Sequence, residues 1–571
     1  MTVVQRPAYR LAVEGMRAVV SAPDGRPWAS LSLLAALDTV GARDETLAVS
    51  ARLEDDVFVV ERRSTVWDEA VVELVCGDDG LEVRTSVAGT GVLDDVHLLG
   101  GRSLIAGVPT GFLPSGSSFR TLFSPNPSGR LVRSAGEPAV IGVSGDGEPG
   151  RHHWFFTPAP LFLALTTADG VEDPAQPVPE GWLGVALAAP VQELDFVQLE
   201  YRPAERAFSL RLEYEGHTRV EGDFAAPAVL LTPGLPDPYA GLRRNRADLV
   251  ARGAAPPPNE RATPAWWSEP IFCGWGAQCH LAAATVAPAQ DFATQANYDA
   301  FLDHLEQRGI VPGTVVIDDK WQQEYGTCTP DRDKWPELEE WIRKRCARGQ
   351  RVLLWWKAWD AEGLPPELCV RDPRGEPVAL DPSNPAAREA LREIVARMLG
   401  PDGIGADGLK VDFTGRTPAG TELSIVGRGW GIALLHELLA IVYSSAKEAK
   451  PDALVITHTP HPSFADVTDM IRLNDMIAMD DPSRRVPAEM RYRADVARAS
   501  CPELLIDTDD WRSPDLETWR AYLAVKSEFG VPSLYYARSL DATGESLTPD
   551  DYEELRRAWA AWRETGSADR A

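Results

Sequence analysis

A chain of 571 residues with a formal charge of −28 is too long for one ordinary hydrophobic core, so two or more domains are expected. Its pI near 4.8 excludes nucleic acid and an anionic membrane surface as partners, because both need clustered lysine and arginine. No apolar run approaches the roughly 20 residues of a membrane span, and the first residues lack the basic head and apolar core of a secretory signal. Seven cysteines form no CxxC pair and no disulfide framework, so the expected setting is a reducing cytoplasm.

From the first residue to about Tyr239 the pattern is one of short β-like runs such as TLAVSARL, VFVVERRS, AVVELVCG and LGVALAA. Turn residues (GDDG, GDGEPG) separate them at the spacing of an all-β sandwich. Alternation in VQLEYR and RLEYE predicts strands with one face in the core and one in water. The segment GFLPSGSSFRTLF, from Gly111 to Phe123, reads as a loop with aromatics that could reach over a neighbouring site. A helix is expected over about 237–252, with Leu242, Ala247 and Leu249 on one side. The proline run of GAAPPPNERATP then ends it. The expected organisation is a β-sandwich over residues 1–240, a helix and Pro-rich linker over 241–265, and a third region over 266–571.

In that third region the rhythm becomes strand–helix alternation. PIFCGWG (270–276), TVVIDD (314–319), RVLLWWKAWD (351–360), DGLKVDF (407–413), ALVITHTP (453–460), DMIRLND (469–475), ELLIDTDDW (503–511) and VPSLYYAR (531–538) are eight near-continuous apolar runs. Such runs are what parallel strands buried on both faces require. Eight of them, with no GxGxxG or Walker loop, favour a (β/α)8 TIM barrel over an open doubly wound sheet.

A barrel gathers the C-terminal ends of its strands around one pocket. Read together, those ends carry Trp275, Asp318, Asp319, Trp321, Trp356, Lys357, Lys410, Asp412, His458, Arg472, Asn474, Asp475, Asp507, Asp509, Asp510 and Tyr536. Carboxylates among tryptophans suit acid/base and nucleophilic chemistry on a polyol, since aromatic faces pack against sugar C–H surfaces. An ionised nucleophile would be helped by Lys410, two positions from Asp412, through a lowered pKa. Asp475 is the candidate acid/base, with Asp480 in MDDPSRR as the alternative. His458 and His461 of HTPHP, with Asp466, could be written as a metal set. The intervening proline keeps the two imidazoles off one helical face and no Cys lies nearby, so neither metal nor cofactor is expected. No GxSxG elbow supports a serine triad.

In combination FCGWGAQ (272–278), VVIDDKWQ (315–322), DRDKWP (331–336), LDPSNPAAREAL (380–391), DGLKVDF, IRLND (471–475) and IDTDDW (506–511) resemble the clan D glycoside hydrolases. The likeness is greatest to family 36, of α-galactosidase and raffinose-synthase type, and more distant to families 27 and 31. It spans about Pro270 to Arg538. The resemblance implies a β-sandwich before a catalytic barrel and a retaining double displacement at an α-glycosidic bond without a cofactor. It implies Asp412 as nucleophile, Asp475 as acid/base, and Asp318 and Asp319 as acceptors from sugar hydroxyls. Lys410 would bind a ring hydroxyl, Arg472 would orient the site, and Trp275 and Trp321 would pack on the sugar.

The sequence departs from that family where HTPHP replaces a Cys- and Gly-rich strand-five ending, and where Lys320 replaces a common glycine. After Tyr536 it holds enough chain for an eighth helix but not for a C-terminal β-domain. The expected partner is an oligosaccharide or glycoside, with homo-oligomerisation left open. The rivals are a galactosyl transglycosylase and a non-catalytic carbohydrate-binding barrel.

Overall fold

The structure, a computed structural model, describes residues 2–100, 114–126, 132–145, 156–204, 207–258, 263–476 and 486–568. Among them, seventeen strands between Thr2 and Leu235 pair antiparallel where they pair. Two long strands, Leu81–Leu98 and Ala207–Leu235, run against each other from the Leu210↔Leu98 pair to the Leu231↔Leu81 pair. Several strands bury alternate residues, as in Glu69–Cys76, where Ala70, Val72, Leu74 and Cys76 face the core. That alternation is the physical meaning of the period-two pattern in the sequence.

The segment read as a loop, from Gly111 to Phe123, behaves differently. Its described part forms the strands Ser115–Ser117 and Thr121–Phe123 within the sheet, while residues 111–113 lie outside the described residues. Phe123 is buried edge-on against Phe162, Tyr239 and Tyr492. The expected helix forms over Pro238–Ala251, capped by the Asp237 carboxylate on the Ala240 N–H. Leu242 and Leu249 are buried as read, but Ala247 is exposed and Asn245 and Arg246 take the buried positions.

The eight parallel strands then follow in order: Ile271–Cys273, Thr314–Ile317, Arg351–Lys357, Gly408–Asp412, Leu454–Thr457, Met470–Arg472, Leu505–Asp507 and Ser533–Leu534. Each pairs in parallel with the next through the seventh. The first pairs with the eighth, Ile271↔Ser533, and the seventh meets the eighth at the Asp507↔Val531 bridge, so the sheet closes. The second and fifth strands are buried at every residue, as expected of strands covered on both faces. The fifth strand departs from the expected rhythm. Only the single turn Pro462–Phe464 joins it to the sixth, because the prolines of HTPHP deny a helix its backbone donors.

One apolar cluster runs through both the sandwich and the barrel. The junction is also polar. Trp430 donates its backbone N–H to Asp195 (3.1 Å) and its indole N–H to Glu215 (2.9 Å), and the His217 ring stacks on it at 3.5 Å.

Candidate active site

The fourth strand ends at Asp412, and its side-chain period decides what enters the barrel. Lys410 and Asp412 point inward, Val411 outward. The neighbouring third strand is in register, Trp355 beside Lys410 and Trp356 beside Val411. Trp355 therefore faces the interior, where its indole N–H donates to Asp412 Oδ2 at 3.1 Å. Trp356 points the other way and is buried, so the expectation that it lines the site is corrected: the inward tryptophan is Trp355. Trp321 is also corrected. It is fully buried with its indole N–H on the Trp355 carbonyl at 2.8 Å, behind the site rather than open to a ligand.

The sixth strand delivers Arg472, which is buried at the centre of three carboxylates. Its Nη2 donates to Asp412 at 3.0 Å; its Nη1 donates to Asp509 at 2.7 Å and to Asp475 at 3.3 Å. Asp412 and Asp475 thus stand on two nitrogens of one guanidinium. The Asp412 side chain is 23% exposed and that of Asp475 32%, so both open to solvent while their cation does not. Asp480, the alternative acid/base, lies outside the described residues.

The two carboxyls nevertheless differ in electrostatics. Burial alone would raise the Asp412 pKa, but Arg472, then Lys410, together with the Trp355 N–H, hold it well below the carboxylate range. For Asp475 burial dominates and pushes the carboxyl up to about 7, with Arg472 opposing and Asp509 and Asp412 adding to the rise. At neutral pH the guanidinium therefore holds an anion on one nitrogen and a protonatable acid on the other.

Lys410 reaches a different partner from the one expected. Its ammonium bonds Asp318 at 2.7 Å and Cys273 Sγ at 3.5 Å and is only 2% exposed. Its effect on Asp412 is that of a nearby charge, not a contact. Asp318 also accepts from the Cys273 thiol (3.0 Å) and from the Asp319 N–H (2.9 Å). It sits beneath the site as the support of Lys410, which corrects its expected place among groups open to a sugar. Asp319 accepts from Tyr325 (2.8 Å) and Gln290 (3.2 Å), and burial raises its pKa to about 6.

Asn474 takes a left-handed backbone, φ 66°, and its side-chain oxygen accepts the Asp475 N–H at 3.0 Å. It shapes the turn that presents Asp475. The His458 imidazole bonds Thr414 at 2.6 Å, and burial lowers its pKa to about 3, so it is neutral. His461 instead accepts from the Ser463 N–H, and Asp466 meets His436; the rival metal set is not assembled. Trp275 opens the helix after the first strand and packs edge-on to Trp511, ring centroids 5.8 Å apart.

Five residues outside the expected catalytic and substrate-binding set complete the site. Cys273 bonds Asp318, Trp355 bonds Asp412, and Tyr535 bonds Asp509 at 3.1 Å. Arg493 donates to the carbonyls of Leu473, Asn474 and Asp475. Thr157, from the sandwich, bonds the Thr414 hydroxyl and donates its N–H to the His458 carbonyl at 3.1 Å. Strand register would have found Trp355; no local signal marks the others. Asp510 turns away, held by Lys526 and Trp519, Asp507 is tied to Ser533, and Tyr536 bonds Asp541.

No family model matches the chain, and no curated protein matches it in sequence. Solved structures do match in fold. An α-galactosidase from Thermus thermophilus, in complex with stachyose, superposes with a TM-score of 0.53 at 16% identity, over 90% of this chain and 99% of that one. A family GH31 sulfoquinovosidase from E. rectale, in complex with an aza-sugar inhibitor, gives 0.61 at 10% identity over 100% of this chain and 84% of its own. An α-galactosidase from Lactobacillus brevis gives 0.53 at 13% identity, covering 98% and 83%. What this chain shares with these glycoside hydrolases is their fold, an antiparallel β-domain ahead of a closed (β/α)8 barrel.

Proposed function

We propose that the protein is a retaining α-glycoside hydrolase acting on terminal α-galactoside-type sugars. The observation that carries this is the pair Asp412 and Asp475 on one guanidinium, one held ionised and the other held protonatable. A retaining mechanism needs two close carboxyl groups, about 5–5.5 Å apart, with those two protonation states. A side chain shared by both is consistent with that compact spacing.

In this reading Asp412 attacks the anomeric carbon while Asp475 gives its proton to the departing glycosidic oxygen. The C–O bond to the aglycone breaks as the ester bond to Asp412 forms. Asp475, now ionised, takes a proton from water, and the water oxygen displaces Asp412 from the sugar. Arg472 stays charged throughout and offsets the anion left on each carboxylate in turn. The fold likeness to two α-galactosidases supports the glycone. The higher TM-score of the sulfoquinovosidase favours a second reading, the same chemistry on a different α-glycone.

The test is a panel of aryl α-glycosides with Asp412→Asn beside the parent. The parent is expected to turn over the α-galactoside. Asp412→Asn is expected to lose about 10³-fold or more in kcat with its circular dichroism unchanged. Full activity in that variant defeats the assignment, and turnover of another glycone alone selects the second reading.

A further inference from the structure

The strand Thr46–Glu54 buries none of its residues. Every residue from Leu47 to Glu54 is exposed, and its register runs to Val57–Ser64 alone among the described residues. It is nine residues long and carries neither proline nor lysine, two of the devices that guard sheet edges. Val49, Ala51 and Leu53 share one face by the period of two. Val49 and Leu53 are 41% and 42% exposed, and Leu47, at a bulge, is 54% exposed. The base of the hairpin is fixed, because Arg62 and Ser64 both bond the buried Asp44 carboxylate at 2.7 and 2.6 Å. An apolar edge is therefore presented on a held hairpin.

The direction of its backbone groups follows from the turn. Glu54 pairs with Val57 across two residues, and the Cys76 N–H binds the Asp56 carbonyl on the far side. Val57, Val59 and Glu61 thus face back to Glu54, Arg52 and Ser50, leaving the backbone groups of Leu53, Ala51 and Val49 turned outward.

We infer that this edge pairs antiparallel with the same strand of a second copy of the chain, about a two-fold axis at Ser50. The strand is self-complementary in that register. Val49 lies opposite the other copy's Ala51, and the residues from Ala48 to Arg52 pair without interruption; Leu47, at the bulge, falls at the end of the ladder beside the other copy's Leu53. No like charges meet: Arg52, already bonded to Glu54 (2.6 Å) and Glu61 (2.5 Å), stands opposite Ala48, and Glu54 opposite Thr46. An axis at Arg52 would set the two guanidiniums against each other. A self-matching patch of this kind is what a closed two-fold dimer requires.

Sedimentation velocity of the full chain at micromolar concentration tests the pairing. The parent sediments as a dimer. Val49→Lys, at an exposed position, weakens association by roughly 2- to 30-fold through the loss of its two cross-strand pairs. Ser50 would meet its own copy in a non-hydrogen-bonded pair, Cα atoms about 4.5 Å apart, within disulfide reach. Ser50→Cys therefore cross-links on mild oxidation, whereas the parent and Arg52→Cys do not. A monomeric parent overturns the proposal and leaves the edge to a strand of another protein. A dimer indifferent to Val49→Lys overturns the surface, and dissociation by Val49→Lys without the Ser50→Cys cross-link overturns the register.

Discussion

Arg472 serves three carboxylates, and the remaining surroundings of each decide its chemistry. Asp509 is fully buried and also takes the Tyr535 hydroxyl, so it anchors the arginine from behind. Asp412 adds the Trp355 N–H and the field of Lys410, and stays ionised; Asp475 has less to offset its burial. On the proposed reading, kcat/KM requires Asp475 protonated and Asp412 ionised. The protonated fraction of Asp475 falls as pH rises through about 7, so activity on a poor leaving group should decline through that region. The depressed Asp412 leaves the acidic side flat. With a dinitrophenyl glycoside, which needs no proton, the basic limb of kcat/KM should vanish; Asp475→Ala should resemble that profile and be partly rescued by azide. Trp355→Phe removes a hydrogen bond to a charged group worth about 1.5–3 kcal/mol, so kcat/KM should fall roughly 10- to 100-fold, measured on the same substrate.

At the scale of elements, the turn after the sixth strand depends on a helix that follows it. Arg493, buried on Val486–Ser500, donates to the carbonyls of Leu473 (2.8 Å) and Asp475 (2.7 Å) and pairs with Glu489 at 3.0 Å. Those carbonyls leave the strand ladder where Asn474 turns left-handed, and buried carbonyls need a donor. Arg493→Met should lower stability by about 3–5 kcal/mol, because it removes the cation of a buried ion pair together with the donor to these carbonyls. Urea unfolding measures this, and adding Glu489→Gln should recover part of the loss. The same scale explains Trp321 and Trp356. A tryptophan near a strand end can face the pocket, the helices or the layer beneath, and only register distinguishes these.

For the whole molecule, the sandwich does more than precede the barrel. It holds the connection that leaves the fourth strand, through Thr157 on Thr414, Glu215 on Trp430 and on the Gly420 N–H, and Asp195 on Trp430. Trp430→Phe keeps the packing but removes the indole donor, leaving the Glu215 carboxylate one bond short. Stability should drop by about 1–3 kcal/mol, read as a lower unfolding midpoint. A shift confined to the sandwich transition would show that the two parts unfold separately.

The sequence by itself determined the eight parallel strands, the sandwich before them and the set of polar strand ends, because burial on two faces, burial on one face and turn chemistry each leave a local pattern. It also placed Asp412 at the end of the fourth strand, whereas Asp475, read as a strand end, falls in the turn three residues past the sixth. Tertiary structure alone decided that Lys410 answers to Asp318 and Arg472 to Asp412, since partners 92 and 60 residues apart leave no periodic trace. It decided equally that Trp355 enters the site and Trp356 does not. A one-residue difference in phase reverses every side chain of a strand, and the phase is set by the neighbouring strand.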